Sequence, residues 1–471
     1  MVETIKYASV SIEEVIAAKL RLEANVFNVE ARKAKEVLRN CKWDILQLKD
    51  FMTDCFYGGR AKRNYISKYS KGAIGFLGSA EMLETNPQPV KFLSALSMNI
   101  KPFKVNEGTV LISRSGTIGN VTLVNKTLSK FLISEHAIRI IPKEYGGFIY
   151  TYLKTEVGRT IVQSNSFGAV ILQVEPEHLE NIVIPNPSKD LKERINKLAN
   201  LSFELRDKSN ELLVEAESIL KKELELPSFQ NLSPAFFDKE ASVRTFSIKL
   251  EFLNNRFEGS YHNPIVTSIL DCLLDTSENI KPLGKLCKEI TMPGIFKRIY
   301  VDEENGVPFL GTNDILELNP RVEKFLSKTG HKKLIEKELS VKENTVLITD
   351  RGTIGNVVLV PEYYENENWT VSQNSIRIVP NSKDIAGYIY IFLNSDFGKA
   401  LSKRETYGAV IDMIDPSNAG QIPIPILKNK EAMKKINDLA LKANQLRTEA
   451  YYKEKEAIKI MNDEVIYATE N

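Results

Sequence analysis

The sequence predicts an α+β fold in which two mixed α/β domains are held apart by two long antiparallel coiled-coil helices, as a pseudo-two-fold tandem repeat. Three observations predict it: an internal duplication, short β-branched runs separated by Gly and Pro in each copy, and a heptad pattern after each copy. The chain has 471 residues, too many for one hydrophobic core at roughly 150 residues per domain. Its 43% hydrophobic and 26% charged residues are typical of globular proteins.

The duplication extends over most of the chain. VNEGTVLISRSGTIGNVTLV at 105–124 aligns without gaps with VKENTVLITDRGTIGNVVLV at 341–360. Four further pairs match, the last of them weakly: ISEHAIRIIP (133–142) with VSQNSIRIVP (371–380), FGAVI (167–171) with YGAVI (407–411), IVIPNP (182–187) with IPIPIL (422–427), and RLEANVF (21–27) with RFEGSYH (256–262). One repeat therefore spans about 20–226 and the other about 256–466.

Each repeat begins with a globular part. TVLI and NVTLV are β-branched runs on either side of the turn SGTIG, and AIRIIP and NIVIP predict further strands. FIYTYLKTEVGRTIV at 148–162 and YIYIFLNSDFGKALS at 388–402 predict a helix packed beside those strands. The globular part is therefore expected to be a mixed α/β body.

A long helix is predicted after each globular part. In the first repeat Pro187 precedes Ser188, which can cap a helix, and Pro227 follows Leu226, so the helix is expected over 188–226. Alternate steps of four and three along it give an apolar stripe: Leu191, Ile195, Leu198, Ser202, Leu205, Ser209, Leu212, Ala216 and Ile219. The second repeat has the same stripe: Ala432, Ile436, Leu439, Ala443, Leu446, Ala450, Lys453, Ala457 and Ile460. Small residues recur every seven positions in both, which allows two backbones to approach closely.

The two stripes are expected to bury each other. Such a helix is roughly 58 Å long at 1.5 Å per residue, and its narrow stripe needs a partner. An antiparallel pair keeps the globular parts apart, whereas a parallel pair would crowd them at one end. The alternative is that each helix packs only on its own domain. The boundaries predicted are a first domain over 1–187, a first helix over 188–226, a linker and second domain over 227–427, and a second helix over 428–466.

Composition limits the classes of function. The 63 basic and 61 acidic residues give a net charge of +2, so a site for a polyanion has to be a local patch. The cysteines lie apart from the histidines without CxxC spacing, so no metal site is expected and the thiols are expected to be buried and reduced: Cys41, Cys55, Cys272 and Cys287. No apolar run approaches the ~18 residues that span a bilayer, and the N-terminus has no signal-peptide core, so a cytoplasmic protein is expected.

These features together resemble the DNA specificity subunit of Type I restriction-modification systems. The resemblance rests on RLEANVF near the start, the VLISRSGTIGNV hairpin, FGAVI before the strand IVIP, and the charged heptad helix, all in this order and all present or echoed twice. It implies two target-recognition domains that each read one half of a split DNA target, with the paired helices acting as a ruler. It also implies that two methyltransferase (modification) subunits dock on this subunit and that restriction/translocase subunits join in turn.

Catalysis is expected to lie in those partners. The resemblance implies that they carry S-adenosylmethionine, ATP and magnesium, and that this chain binds no cofactor. The residues agree, because GAIGFLGSA at 72–80 lacks the lysine of a phosphate-binding loop. None of the Asn-Pro pairs is followed by the Pro-aromatic pair with which amino-methyltransferases hold a flipped base. A nuclease or methyltransferase in its own right is therefore disfavoured, and no catalytic residue is assigned.

A basic window in the first repeat predicts contacts with DNA phosphates. Between Asp54 and Glu81 it contains no acid, and its cations alternate with Tyr57, Tyr65 and Tyr69: Arg60, Lys62, Arg63, Lys68 and Lys71. In the second repeat GIFKRIY at 294–300 keeps only Lys297 and Arg298. The alternative is a solvated basic loop.

Base contacts are predicted where the repeats differ beside the shared turn. Ser113, Arg114 and Ser115 of the first repeat are replaced in the second by Thr349, Asp350 and Arg351, and Thr312, Asn313 and Asp314 are further candidates. These side chains are of the types that read base edges, and their differences predict two different half-sites. The alternative is that they only shape a hairpin. The alternative function for the whole chain is a non-catalytic protein-binding scaffold with paired modules on a coiled coil.

Overall fold

Two compact units make up the part of the chain that the structure describes. The computed structural model describes residues 9–17, 20, 27–59, 62–167, 172–228, 231–232, 245–253, 256–351, 354–408 and 410–469. Unit 1 contains the described residues up to Asp207 and those from Glu449 onward, and unit 2 contains those from Lys208 to Thr448. Among the helices in these residues, none is long and apolar enough to cross a membrane.

Unit 1 is a mixed α/β body, as predicted. Its helices are α1 (Ile12–Ala17), α2 (Val29–Arg39), α3 (Gly146–Lys154), α4 (Glu156–Ser164), α5 (Pro176–Glu180) and the first part of α6 (Lys189–Glu223). Its strands are β1 (Ile45–Gln47), β2 (Met52–Tyr57), β3 (Tyr65–Ile66), β4 (Ala73–Leu77), β5 (Lys91–Ser94), β6 (Val110–Ser113), β7 (Val121–Leu123), β8 (Leu132–Ile133), β9 (Ala137–Pro142) and β10 (Val183–Pro185). The runs TVLI, NVTLV and AIRIIP correspond to β6, β7 and β9.

Unit 2 repeats the same order of elements. Its helices are α7 (Pro264–Thr276), α8 (Lys332–Leu334), α9 (Glu362–Asn366), α10 (Lys383–Asn394), α11 (Asp396–Arg404), α12 (Pro416–Gly420) and most of α13 (Lys430–Ile460), which continues in unit 1 as a π-helical turn over Met461–Ile466. Its strands are β11 (Asn279–Pro282), β12 (Cys287–Thr291), β13 (Tyr300–Val301), β14 (Gly306–Leu310), β15 (Phe325–Ser327), β16 (Val346–Thr349), β17 (Val357–Leu359), β18 (Thr370–Val371), β19 (Ser375–Pro380) and β20 (Pro423–Ile426).

The sheets of the two units have the same topology. Unit 1 has four-stranded sheets in the orders β2-β9-β6-β7 and β3-β5-β4-β8, and unit 2 has β12-β19-β16-β17 and β13-β15-β14-β18. Pairing is antiparallel except between β4 and β8 and between β14 and β18. Ser113 at the end of β6 lies opposite Ala137 at the start of β9. The residues that follow β6 therefore lie beside the residues that precede β9.

A kink divides each predicted packing helix in two. Thr155 is extended between α3 and α4, and its hydroxyl oxygen caps α4 by accepting from the Gly158 N–H at 3.1 Å. A Cβ at Gly158 would lie 2.1 Å from the Tyr152 carbonyl oxygen, so only glycine fits there. Ser395 and Gly398 make the same cap between α10 and α11, also at 3.1 Å. The apolar periodicity continues across the kink, which explains why the sequence predicts one helix.

A buried arginine links the two four-stranded sheets within each unit. Arg139 on β9 is 1% exposed and donates to the carbonyl oxygens of Ile133 on β8 and Ala137, both at 2.6 Å. Arg377 on β19 donates in the same way to Val371 on β18 and to Ser375. Burial lowers the pKa of both guanidinium groups to about 10. The arginine shared by AIRIIP and SIRIVP is therefore structural.

The long helices pair in the predicted direction inside each unit. Four contacts define it: Arg194–Glu464 (3.0 Å) and Ser202–Ala450 (2.8 Å) in unit 1, and Ser209–Arg447 (3.0 Å) and Glu215–Lys435 (2.9 Å) in unit 2. Later residues of α6 meet earlier residues of α13, so the paired segments run antiparallel. The small residues of the two stripes are at most 1% exposed: Ser202, Ser209, Ala216, Ala443, Ala450 and Ala457. Helix α6 has 35 residues, slightly fewer than predicted.

Each helix packs on its own domain as well as on the other helix. The Gly147 N–H donates to Asn196 Oδ1 at 2.8 Å, and the Gly387 N–H donates to Asn437 Oδ1 at 2.9 Å. The core of unit 1 also includes Ala457 and other residues of α13, and the core of unit 2 includes residues from the end of α6. The alternative that each helix packs only on its own domain is therefore wrong. Each domain is completed by a helix end from the other repeat.

Candidate DNA-binding surface

Internal hydrogen bonds shape the turn between β6 and β7. The Ser113 hydroxyl donates to the Thr117 carbonyl oxygen and accepts from the Asn120 N–H at 2.9 Å. Gly116 and Gly119 have φ angles of 78° and 87°, the left-handed region that favours glycine. Ser113 is 3% exposed, so its hydroxyl is used inside the turn and its base contact stays a prediction.

Three residues from separate segments lie beside this turn. Ser115 Oγ lies 2.8 Å from His136 Nδ1, and Ser115 also forms a backbone bridge with Gln173. Gln173 in turn exchanges two backbone hydrogen bonds with Phe167, of 2.9 and 2.8 Å, which close a hairpin. We call Ser115, His136 and Gln173 the first edge cluster. It brings a hydroxyl, an imidazole and an amide to one place at the surface of unit 1.

Arg114 lies inside the domain. Its side chain is 7% exposed and forms an ion pair with Glu175. Its guanidinium also lies 4.3 Å from the centroid of the Tyr57 ring, a cation–π contact. The predicted base contact of Arg114 stays a prediction, and it requires this ion pair to open.

The basic window reaches the first edge cluster through Arg63. Arg63 forms an ion pair with Glu135, the neighbour of His136, and its guanidinium lies 5.0 Å from the centroid of the Phe76 ring. Burial raises the pKa of Glu135, but a backbone hydrogen bond and the charge of Arg63 outweigh it and keep the pKa below its usual value. Arg63 is thus partly engaged within the domain.

The other cations of the window lie at the surface. Lys62, Lys68 and Lys71 are exposed, and the Lys68 ammonium lies 4.9 Å from the centroid of the Tyr69 ring. Arg60 lies outside the described residues. The exposed lysines are accessible to DNA phosphates. Their phosphate contacts stay a prediction.

The turn of unit 2 has a different charge arrangement. Asp350 has 2% of its side chain exposed, and Arg351 has 43% exposed. Arg351 donates to Asp350 Oδ2 from Nε at 2.9 Å, and this hydrogen bond raises the pKa of the guanidinium above its usual value although burial lowers it. The acid is therefore held inside, and the cation is presented at the surface.

A second edge cluster occupies the equivalent place in unit 2. The Asp350 N–H donates to the Asn374 carbonyl oxygen at 3.1 Å, as the Arg114 N–H does to that of His136 at 2.8 Å. Arg351 forms a backbone bridge with Met413. We call Arg351, Asn374 and Met413 the second edge cluster. It combines a guanidinium, an amide and a thioether at the positions of the first edge cluster.

The short basic segment of unit 2 is exposed. Lys297 and Arg298 both lie at the surface, and the Arg298 guanidinium is 5.4 Å from the centroid of the Phe309 ring. Phe309 on β14 corresponds to Phe76 on β4, so Arg298 occupies the place of Arg63. Gln373 stands where unit 1 has Glu135, so unit 2 lacks the carboxylate that pairs with Arg63.

The remaining candidates of unit 2 lie at the end of β14. Asp314 Oδ2 accepts from the Gly311 N–H at 2.7 Å, so the carboxylate closes its own turn. Asn313 is exposed and Thr312 is partly buried in the same turn. Their base contacts stay predictions.

Sequence reasoning missed two of the three residues in each edge cluster. His136, Gln173, Asn374 and Met413 lie far along the chain from the shared turn, and only the sheet pairing brings them to it. A signal was present, because His136 and Gln173 differ from Asn374 and Met413 within segments that otherwise match between the repeats.

Comparison with protein families gives one match. The model of the Type I restriction modification DNA specificity domain matches residues 40–201 and again residues 279–454. The two matches cover more than half of the chain and fall one in each repeat. A comparison with curated protein sequences gives no significant match.

Solved structures of such subunits are similar at low identity. The crystal structure of a Type-I restriction-modification system S subunit from M. genitalium is 16% identical and covers 91% of this chain and 96% of its own, with a TM-score of 0.32. The crystal structure of an HsdS subunit from Thermoanaerobacter tengcongensis is 14% identical and covers 88% of this chain and 95% of its own, with a TM-score of 0.27.

Proposed function

Since the chain belongs to the Type I restriction-modification DNA specificity family, we propose that each of its two units reads one half of a bipartite DNA target. It is a specificity subunit, the non-catalytic member of such a system. DNA recognition and assembly with other subunits are properties of this family. The finer assignments below are our proposal for this chain.

The observation that carries the proposal is the contrast between the two edge clusters. The described scaffold around them is equivalent in both units: the strand pairing, the backbone hydrogen bonds that close each hairpin at 167/173 and 407/413, and the buried arginine. The first edge cluster offers Ser, His and Gln, whereas the second offers Arg, Asn and Met. Arginine pairs with the acceptors of guanine, amides pair with adenine, and an apolar group contacts the thymine methyl. One scaffold with two sets of side chains therefore fits two different half-sites.

Exposed cations outside the edge clusters supply contacts with the phosphates. Lys62, Lys68 and Lys71 in unit 1, and Lys297 and Arg298 in unit 2, are exposed in equivalent regions that precede β4 and β14. Phosphate contacts give affinity and register but carry no base sequence. Their number differs between the units, so the electrostatic contribution of each half-site also differs.

The paired helices set the spacer between the half-sites and provide the docking surface for two methyltransferase subunits. Small residues along the contact allow close packing, which makes a stiff pair suitable for a ruler. The partners supply the chemistry: S-adenosylmethionine in the methyltransferase subunits, and ATP with magnesium in restriction/translocase subunits. The chain itself is assigned no cofactor.

Methylation mapping tests the proposal. The chain is expressed with an amino-methyltransferase subunit in cells that lack DNA methylation, and methylated adenines are mapped with and without the chain. The expected result is one bipartite motif that requires both proteins. Co-purification of the two proteins without any methylated motif would instead support the protein-binding scaffold.

A further inference from the structure

A solvent-exposed aliphatic tip lies at the end of the hairpin that carries Met413. In unit 2 the N–H and C=O groups of Tyr407 and Met413 form two hydrogen bonds of 2.8 Å, which close the hairpin. Val410 and Ile411 at its tip are 96% and 58% exposed. The hairpin thus presents two branched apolar side chains to solvent.

Close backbone contacts constrain Gly408 and the base of the hairpin. Gly408 has a φ angle of 119°, and a Cβ at this position would lie 2.2 Å from the Ile411 carbonyl oxygen. Any other residue would open the hairpin, because the close approach is to backbone. The base of the hairpin is also bonded to the turn of unit 2, since the Ile414 N–H donates to the Asp350 carbonyl oxygen at 3.0 Å.

The same four residues follow the aromatic residue in both repeats. Unit 1 has Gly-Ala-Val-Ile at 168–171 and unit 2 has Gly-Ala-Val-Ile at 408–411. The flanking residues differ, with Leu172 and Gln173 in one repeat and Asp412 and Met413 in the other. A single exposed aliphatic residue is ordinary, but a pair retained in both repeats beside variable surface indicates a shared task. That task does not depend on which half-site is read.

We infer that Val410 and Ile411 form a wedge that inserts between stacked base pairs beside the second half-site. This inference rests on the proposed function. Apolar side chains used in this way partly unstack a base step and bend the duplex. A base stack presents apolar faces whatever its sequence, which fits a tip that is the same in both repeats. The wedge adjoins the second edge cluster, so one hairpin contributes both an invariant and a variable contact.

The size of the tip favours DNA over a protein partner. Stable protein interfaces bury about 800 Å² on each side around a cluster of anchors. Here two aliphatic side chains are adjacent in the sequence, and the exposed Asp412 follows them. One or two residues are sufficient for insertion at a base step.

Fluorescence of 2-aminopurine tests the wedge directly. The chain in complex with its methyltransferase subunit is bound to duplexes that carry the mapped motif, with 2-aminopurine placed in turn at each step of the second half. Unstacking by the wild-type complex should raise the fluorescence at one step. Val410→Thr with Ile411→Thr keeps the branched shape but removes the apolar tip, and it should abolish this rise. The matched control is Leu274→Ser on α7, which alters another aliphatic residue of unit 2 that is 63% exposed.

Affinity gives the second measurement. The double variant should bind the intact motif about tenfold more weakly and regain affinity when the step carries a mismatch, because a mismatch reduces the cost of unstacking. No rise at any step with the wild-type complex would overturn the wedge. Loss of the methyltransferase subunit from the double variant in the absence of DNA would also overturn it and assign the tip to that partner. Failure of the wild-type complex to bind any motif would instead overturn the proposed function.

Discussion

Replacement of Glu454 by leucine should destabilise unit 1 strongly. The Glu454 side chain on α13 is 1% exposed and forms an ion pair with Arg206 on α6, whose side chain is 8% exposed. The Tyr150 hydroxyl donates to the same carboxylate, and the Lys154 ammonium lies 4.0 Å from it. This cluster joins α6, α13 and the globular part of unit 1.

The expected loss follows from the charge that the substitution leaves behind. Removing one partner of a buried ion pair costs about 3–5 kcal/mol, because the other charge stays buried without compensation. In Glu454→Leu, that charge is the Arg206 guanidinium. Replacing both partners with leucine should recover most of the loss, since an apolar pair of similar volume is often as stable as the ion pair. The single variant Glu454→Leu should therefore be less stable than the double variant that also carries Arg206→Leu.

Tryptophan fluorescence reports on unit 1 separately. The chain has two tryptophans, Trp43 in unit 1 and Trp369 in unit 2. In a Trp369→Phe background the signal comes from Trp43, whose Nε1 donates to the Glu464 carbonyl oxygen at 2.9 Å. Urea unfolding followed at Trp43 therefore measures the docking of α13 in unit 1 through its midpoint and slope.

An exposed ion pair on the same two helices supplies the control. Arg194 on α6 and Glu464 in the turn that continues α13 lie in unit 1, and their side chains are 55% and 46% exposed, so Arg194→Ala should cost no more than about 1 kcal/mol. A loss of this small size for Glu454→Leu would refute the reasoning. Failure of the double leucine variant to recover stability would refute it as well.

Three further predictions concern DNA binding and the helices. Lys297→Ala with Arg298→Ala should weaken binding to matched and unmatched duplex alike. The slope of log K against log salt concentration, measured by fluorescence anisotropy, should fall by about two units. An unchanged slope would place the phosphate contacts elsewhere. Seven residues inserted in α6 after Asp207 and again in α13 after Thr448, at the chain boundaries of the two units, should lengthen the spacer of the methylated motif by about three base pairs. An unaltered spacer would mean that the helices do not set it. A fragment over 1–226 should form a two-fold dimer, and the dimer should be tighter when the fragment carries Leu213→Glu. Leu213 occupies the place of Glu454, so the unchanged fragment would leave Arg206 unpaired in the dimer. Sedimentation that finds both fragments equally monomeric would contradict this.

The repeat and the helix pairing could be predicted because they depend on local patterns. The duplicated segments align directly, and small residues every seven positions indicate which stripe is buried. Ser202 and Ala450 meet as the pattern predicts. Arg206 lies outside the apolar stripe, and its burial could not be predicted because its partner Glu454 lies 248 residues away along the chain.

Candidate residues beside the shared turn could be chosen from the sequence for the same reason. The shared turn drew attention to Arg114 and Arg351, which stand out as differences next to identical residues. Their roles differ because their partners differ: Glu175, 61 residues further along the chain, draws Arg114 into the domain, whereas the adjacent Asp350 holds Arg351 at the surface. The edge clusters form only through the register of the sheet and the hydrogen bonds between residues 167 and 173. Neither can be predicted from a sequence pattern.

The most direct test of the account replaces the first edge cluster with the second. Ser115→Arg, His136→Asn and Gln173→Met are introduced together into the full chain, and methylated adenines are mapped with the methyltransferase subunit present. The account predicts that one half of the bipartite motif changes, while the other half and the spacer stay as in the wild type. A motif that is unchanged in both halves, or altered in both, would contradict the claim that each unit reads its own half through its edge cluster.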